Sequence, residues 1–306
     1  VKQQAEALGF ALCGVSGPLE KKHTDFYEWW VQQGYGAGMF YLRSQLSKRQ
    51  DLEKILPDAK AVIMLAMPFP GGGQNPPDSP SPAGKVARYA VNEDYHHTLL
   101  PKVQELAEAL DRSCGSKSLA YVDTGALNER AYAAQGGIGW IGKNAMLIHP
   151  DWGSWLWLAS IVTTAPLAPD PLLADHCGKC RKCIEACPTG AILENLRAVD
   201  SNKCIPYWNI EHRGEIPETI ATKMDPWILG CDICQEVCPW NSHSLKMGRK
   251  DMGEPLVEWQ PLAEILQMEK SEFGKFQDRA HSRAKWEGWQ RNAKILETQQ
   301  QEKKKT

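Results

Sequence analysis

Eight of the ten cysteines fall between positions 177 and 238, and their spacing is the strongest chemical signal in the chain. CGKCRKCIEACP carries Cys177, Cys180, Cys183 and Cys187, Cys204 follows alone, and CDICQEVCP carries Cys231, Cys234 and Cys238. A CxxCxxCxxxCP run wraps three thiolates round one iron–sulfur cubane while its fourth cysteine crosses to the neighbouring cluster. By that rule one [4Fe–4S] cluster takes Cys177, Cys180, Cys183 and Cys238. The second run lacks its leading cysteine, since Ile228 stands in that place. The other cluster therefore takes Cys187, Cys231 and Cys234 and needs a fourth ligand, for which Cys204 is the substitute. Zinc also accepts four thiolates, but its paired knuckles give no reason for two CxxxCP endings. Disulfides would need an oxidising compartment. Cys13 and Cys114 lie outside the pattern and are expected to be small buried hydrophobes.

Two cubanes make an electron wire with no substrate site of its own. A ferredoxin needs only part of 306 residues, so the electrons are expected to serve something held by the residues that precede the clusters. A dinucleotide is the first candidate, because Gly137, Gly139 and Gly142 in GIGWIG match GxGxxG. The context denies it: the motif should follow a strand and open a helix, whereas a predicted helix precedes it. Gly142-Lys143-Asn144 also lacks the Ser or Thr of a phosphate-binding P-loop. A glycine-rich turn that lies close to a flat ligand is expected instead.

The elements that must position these groups read as a mixture of helices and strands. Helical patterning covers residues 1–8, 24–32, 99–114 and 127–135, and buried strands are expected at 11–15, 61–67, 119–122 and 154–164. The helix at 127–135 would start from Asp123 or Thr124 as N-cap. Residues 71–84, GGGQNPPDSPSPAG, should form an exposed loop. Residues 258–297 read as helical. No apolar stretch approaches the roughly 20 residues that span a bilayer, and residues 1–7 show no basic start followed by an apolar run. A cytoplasmic, monomeric protein is expected. The net charge of −2 leaves nucleic-acid binding to local clustering.

Six separated segments then resemble the epoxyqueuosine reductase family: VARYAVNEDYH (86–96), YVDTGALNERA (121–131), GIGWIGKNAMLIHPDWGSW (137–155), CGKCRKCIEACPTGAI (177–192), CIPYWNIEHRGEIP (204–217) and GCDICQEVCPWN (230–241). The resemblance implies an α+β fold in three parts. A nitroreductase-like cobalamin-binding domain occupies residues 1–170, a bacterial-ferredoxin-like module with two [4Fe–4S] clusters 171–245, and a helical C-terminal region 246–306. It implies reduction of epoxyqueuosine to queuosine at the wobble position of tRNA, with cobalamin between the clusters and the epoxide and an electron donor still to be identified. It also assigns Asp123 of the DTG motif as proton donor, which would require a pKa well above the usual carboxylate value of about 3.9. Arg49, Tyr89, Lys143, Asn144, His149 and Ser154 match positions that could reach the corrin. Asp94-Tyr95-His96 begins a DxHxxG motif, but Leu99 replaces its glycine, so no axial histidine is expected.

The chain departs from the family pattern at Ala126, at Asn92 and over 278–284, DRAHSRA. The last of these bears on the RNA-facing end. Nearby, Lys275, Arg279, Arg283, Lys285, Arg291 and Lys294 outnumber Asp278 and Glu287, with Trp286 and Trp289 among them. Cations interleaved with aromatics suit phosphates and unstacked bases of a single-stranded anticodon loop. A reductive dehalogenase, or a plain electron-transfer protein, is the alternative reading.

Overall fold

The computed structural model describes residues 1–69, 81–91, 93–244, 258–276 and 279–304. Residues 71–80 of the expected loop, Asn92, Asp278 and the side chain of Lys275 lie outside the described residues. At its centre is a four-stranded antiparallel sheet in the order Leu12–Ser16, Ala61–Pro68, Leu156–Thr163, Ser118–Tyr121. All eight residues of Ala61–Pro68 are buried, so this strand is covered on both faces and reads as a continuous apolar run. Ile63, Leu65 and Met67 face helix Tyr95–Cys114 through its stripe Leu99, Val103, Leu106 and Leu110. Val62, Met64 and Ala66 face the opposite side, where helix Glu129–Gln135 contributes Tyr132 and Ala133.

A second, three-stranded sheet joins distant parts of the chain. Ala83–Val86 pairs in parallel with Trp227–Leu229 and antiparallel with Trp259–Pro261. Gly84, expected in the loop, is therefore inside a strand. A Cβ there would stand 2.8 Å from Ile228 Cβ and 3.1 Å from Leu262 Cδ2, which is the packing reason for glycine. The long helix Lys285–Lys303 covers this sheet with Trp289, Ala293 and Leu296, all buried.

Three expectations need correction. The C-terminal region is not one helical run: Trp259–Pro261 is a strand, Leu262–Gln267 a short helix, and 3-10 turns intervene before Lys285. Helix Glu129–Gln135 starts six residues after Asp123, with Asn128 at its N-cap, so Asp123 caps nothing. Cys114 is exposed, because it is the last residue of its helix and lies beyond the final buried position, Leu110. The GIGWIG glycines do approach closely, but what they approach is protein. A Cβ at Gly137 would meet Pro171 O at 2.2 Å, and one at Gly139 would meet Ile148 O at 2.6 Å. The motif runs from the end of a helix into the hairpin Trp140–Ile141/Leu147–Ile148, which is not a dinucleotide fold. Among the described residues no helix is long and apolar enough to cross a membrane.

Candidate functional site

The cysteine segment folds so that its thiols fall into two groups. Cys183 lies within electrostatic reach of Cys238, Cys177 and Cys180, and burial raises its pKa. Cys234 in turn lies within reach of Cys231, Cys204 and Cys187. Burial pushes the Cys204 thiol up to about 12, with Cys187 the largest charged contributor. None of the eight is in a disulfide. Among the described residues no three or more His, Cys, Asp or Glu side chains close around a single-ion point; the thiols are grouped at a wider spacing.

This segment is tied to the first half of the chain by residues that had been matched to corrin positions. Lys143 Nζ donates to the carbonyls of Gly178 and Cys180, each at 2.8 Å. Asn144, 3% exposed, donates from Nδ2 to Cys234 O at 3.2 Å. Ser154, 1% exposed, donates from Oγ to Gln235 Oε1 at 2.9 Å, and its N–H donates to Asn241 Oδ1 at 2.6 Å. Here, then, Lys143, Asn144 and Ser154 brace the cysteine segment. His149 closes a turn by accepting the Asp151 N–H at Nδ1, 3.1 Å away. Sequence reasoning missed this seam because hydrogen bonds between residues about 35 to 90 positions apart leave no local pattern.

Asp123 sits just past strand Ser118–Tyr121 with φ +57°. The left-handed conformation costs an ordinary residue on the order of 1–2 kcal/mol, less for Asp. A hydrogen bond from Asp123 N–H to Glu129 Oε1 at 3.2 Å offsets part of that, at about 0.5–1.5 kcal/mol. The carboxylate turns towards the first turn of helix Tyr95–Cys114: Tyr95 OH donates to Asp123 Oδ2 at 3.3 Å, and His96 Nε2 stands 3.8 Å from the same oxygen. Asp94 holds the far side of the ring, 2.6 Å from His96 Nδ1, while also capping the helix through the His96 N–H. The DxH fragment that failed as an axial-ligand motif thus aims its histidine at Asp123.

The electrostatics correct one expectation. Contact with His96 holds the Asp123 carboxyl below its usual range, outweighing the upward push of desolvation. Contact with Asp123 in turn raises the pKa of His96. The carboxyl raised here is Glu129, pushed up to about 8 by burial first and by the charge of Asp123 second. Two neighbouring carboxyls pushed apart in this way share one proton near neutrality. Arg130 lies within reach of Glu129, Asp123 and Cys204, and desolvation lowers its pKa. It therefore stands between the acid and the second thiol group. Arg49 donates from NH1 to Leu127 O at 2.6 Å, while its Nε is buried without a hydrogen-bond partner. Tyr89 packs edge-on to Tyr95, and burial followed by the charge of Asp123 raises its pKa.

Beside these groups lies a recess of about 740 Å³, lined among others by Phe40, Tyr41, Glu211, Arg283 and Lys285. Phe40 is 79% exposed. Arg283 lies 5.9 Å from the Tyr41 ring and is held by both oxygens of Glu211, at 2.9 and 3.0 Å. The remaining C-terminal cations divide. Arg291 is spent inside the fold on the carbonyls of Trp208, His212 and Gly214, and Trp289 is buried against Phe276; neither faces a ligand. Phe40, Tyr41, Glu129 and Arg130 had no assigned role in the sequence, although the last two lie within the YVDTGALNERA segment.

Comparison with known proteins places this arrangement. Residues 176–241 match the 4Fe-4S double cluster binding domain, and residues 49–124 match the family described as epoxyqueuosine reductase QueG, DUF1730. The epoxyqueuosine reductase of Cyclobacterium marinum is 36% identical, over 98% of this chain and 96% of its own. An epoxyqueuosine reductase solved with an epoxyqueuosine-modified tRNA-Tyr stem loop is 29% identical, with a TM-score of 0.88 over 98% of this chain and 80% of its own. The Bacillus subtilis enzyme, solved with its catalytic aspartate loop swung out of the active site, is 28% identical, with a TM-score of 0.89 over 98% and 80% of the two chains. Conserved architecture from the central sheet through the double-cluster segment, together with this level of identity, shows that the chain belongs to the epoxyqueuosine reductase family.

Proposed function

We propose that this protein reduces epoxyqueuosine to queuosine in the anticodon loop of tRNA, using cobalamin and two [4Fe–4S] clusters. The observation that carries this reading is that Asp123 and Cys204 lie within electrostatic reach of one side chain, Arg130, which brings the acid near the cysteine segment. We assign Cys177, Cys180, Cys183 and Cys238 to one cluster and Cys187, Cys204, Cys231 and Cys234 to the other. The surroundings of Asp123 suit a large flat cofactor: its side chain is 65% exposed although protein walls desolvate it, and the Nε of nearby Arg49 is buried without a partner. Arg49, Tyr89, Arg130 and Asp123 would hold the corrin.

Removing the epoxide oxygen as water consumes two electrons and two protons. When bound, the cobalt supplies a reduced metal centre for the epoxide, and the clusters supply it with single electrons. The chain's own residues manage the protons. Asp123 Oδ2 meets Tyr95 OH and His96 Nε2, and Asp123 lies within electrostatic reach of Arg283, which lines the recess. His96 Nε2 is the nearby cationic donor that can recharge it, and Asp94 fixes the ring orientation. A ligand that covers the exposed side of Asp123 strips water from it and so raises its pKa towards that of a working acid. Phe40 and Tyr41 offer faces for bases, and Arg283 and Lys285 offer charge to phosphates, at the mouth of the same recess.

Anaerobically purified protein given epoxyqueuosine tRNA and dithionite should form queuosine. Asp123→Asn should slow that turnover by about 10²–10⁴-fold at unchanged iron content; full activity in the variant would remove Asp123 from the chemistry. Cys204→Ala should lower bound iron from about eight atoms to about four, and retention of both clusters would exclude it as a ligand.

The raised His96 pKa means that its share of the pairing is complete below about 6.5 and is lost as pH rises through the folded value. Asp123, with its lowered pKa, contributes above about 3.8, and that share is lost as pH falls through its folded value. The pair is therefore strongest between those limits. An NMR titration should place His96 above 6.5, and Asp123→Asn should bring it down; no change would show that the two do not interact. Arg283→Glu combined with Lys285→Glu should weaken tRNA binding and flatten its salt dependence, as read by affinity at several ionic strengths, whereas unchanged affinity would place the RNA elsewhere.

A further inference from the structure

A wire has two ends, and the two thiol quartets differ in depth. No thiol of the quartet Cys187, Cys204, Cys231 and Cys234 is exposed, and the Cys234 carbonyl is covered by Asn144, itself 3% exposed. In the other quartet Cys180 is exposed, alone among the eight, and so are its neighbours Gly178, Lys179, Arg181 and Lys182. Electron transfer weakens steeply with distance, so an incoming carrier must use the quartet that reaches the surface.

The charges around Cys180 say what kind of carrier fits. The acids near this loop are already matched: Glu185 and Glu194 pair with Arg181, and Asp175 pairs with Arg197. Lys179 and Lys182 have no ion pair among the described residues, and Lys143 adds a third ammonium beneath the loop at the Gly178 and Cys180 carbonyls. A protein of net charge −2 thus shows an unbalanced positive rim around the exposed cysteine of the eight. Leu172, 59% exposed, and Leu173, 37% exposed, lie just upstream in the chain and offer apolar contact. A charged rim steers encounter and sets orientation more than it adds affinity, as a carrier that must leave after each electron requires.

We propose that electrons enter through the cluster held by Cys177, Cys180, Cys183 and Cys238, delivered by a small acidic one-electron carrier protein that docks on Lys179 and Lys182. The inference rests on the assignment of the cysteines to clusters given above. Each encounter oxidises the carrier by one electron and reduces the outer cluster by one. Two encounters supply the pair of electrons that opens the epoxide, and the two protons come from water by way of the Asp123 side.

The test uses the cluster-loaded enzyme and reduced flavodoxin as the acidic probe. Stopped-flow absorbance would follow cluster reduction, and surface plasmon resonance with oxidised flavodoxin would report docking without turnover. Lys179→Gln with Lys182→Gln, and then both changed to Glu, should lower the association rate in that order, by about tenfold or more for the Glu pair. The salt dependence should flatten in step. Turnover driven by dithionite, and the EPR signals of the clusters, should stay at wild-type values. Wild-type flavodoxin rates and docking in the Glu pair, with dithionite turnover intact, would overturn the entry face alone. Absence of cluster iron in the unmodified protein would instead overturn the functional reading on which it rests.

Discussion

The arrangement depends on a seam of hydrogen bonds that fixes the cysteine segment against the first half of the chain. Lys143 reaches the loop of the outer quartet, Asn144 reaches Cys234 in the inner one, and Ser154 engages Gln235 and Asn241. Electron transfer tolerates little change in separation, so the cysteine segment is useful only if it is held at a set distance from the group it reduces. Neutral buried hydrogen bonds contribute only about 0.5–1.5 kcal/mol each, but a buried amide or hydroxyl left unpaired costs about 1–3 kcal/mol. Specificity of docking therefore comes as much from the penalty on misplacement as from the strength of each bond.

The acid site works by opposed pKa shifts. Asp123, Glu129 and His96 would each titrate differently if isolated. Together they form a set in which contact with His96 lowers the Asp123 carboxyl, burial pushes Glu129 up to about 8 and contact with Asp123 raises His96. Backbone geometry serves the same end, since the positive φ of Asp123 brings its carboxylate round to the start of helix Tyr95–Cys114.

The C-terminal region shows how composition can mislead about surfaces. Six cations and two tryptophans within a short span look like one RNA-binding stripe. The helix instead turns Trp289 into the core and spends Arg291 on three carbonyls. Arg283 and Lys285 stay exposed and line a recess with Phe40 and Tyr41 from the other end of the chain. Charge counting could not see this, because which face of a helix is buried depends on the sheet it covers.

The sequence by itself determined the iron–sulfur chemistry and the buried strands. Cluster ligation is written in short, local spacings that only one kind of metal centre explains, and the apolar runs at Ala61–Pro68 and Leu156–Thr163 announce burial on both faces. Tertiary structure alone decided what Lys143, Asn144 and Ser154 do, which side chain His96 meets, and which carboxyl keeps its proton. Those outcomes depend on contacts between segments as much as about 90 positions apart and on local desolvation, neither of which has a period or a spacing to read.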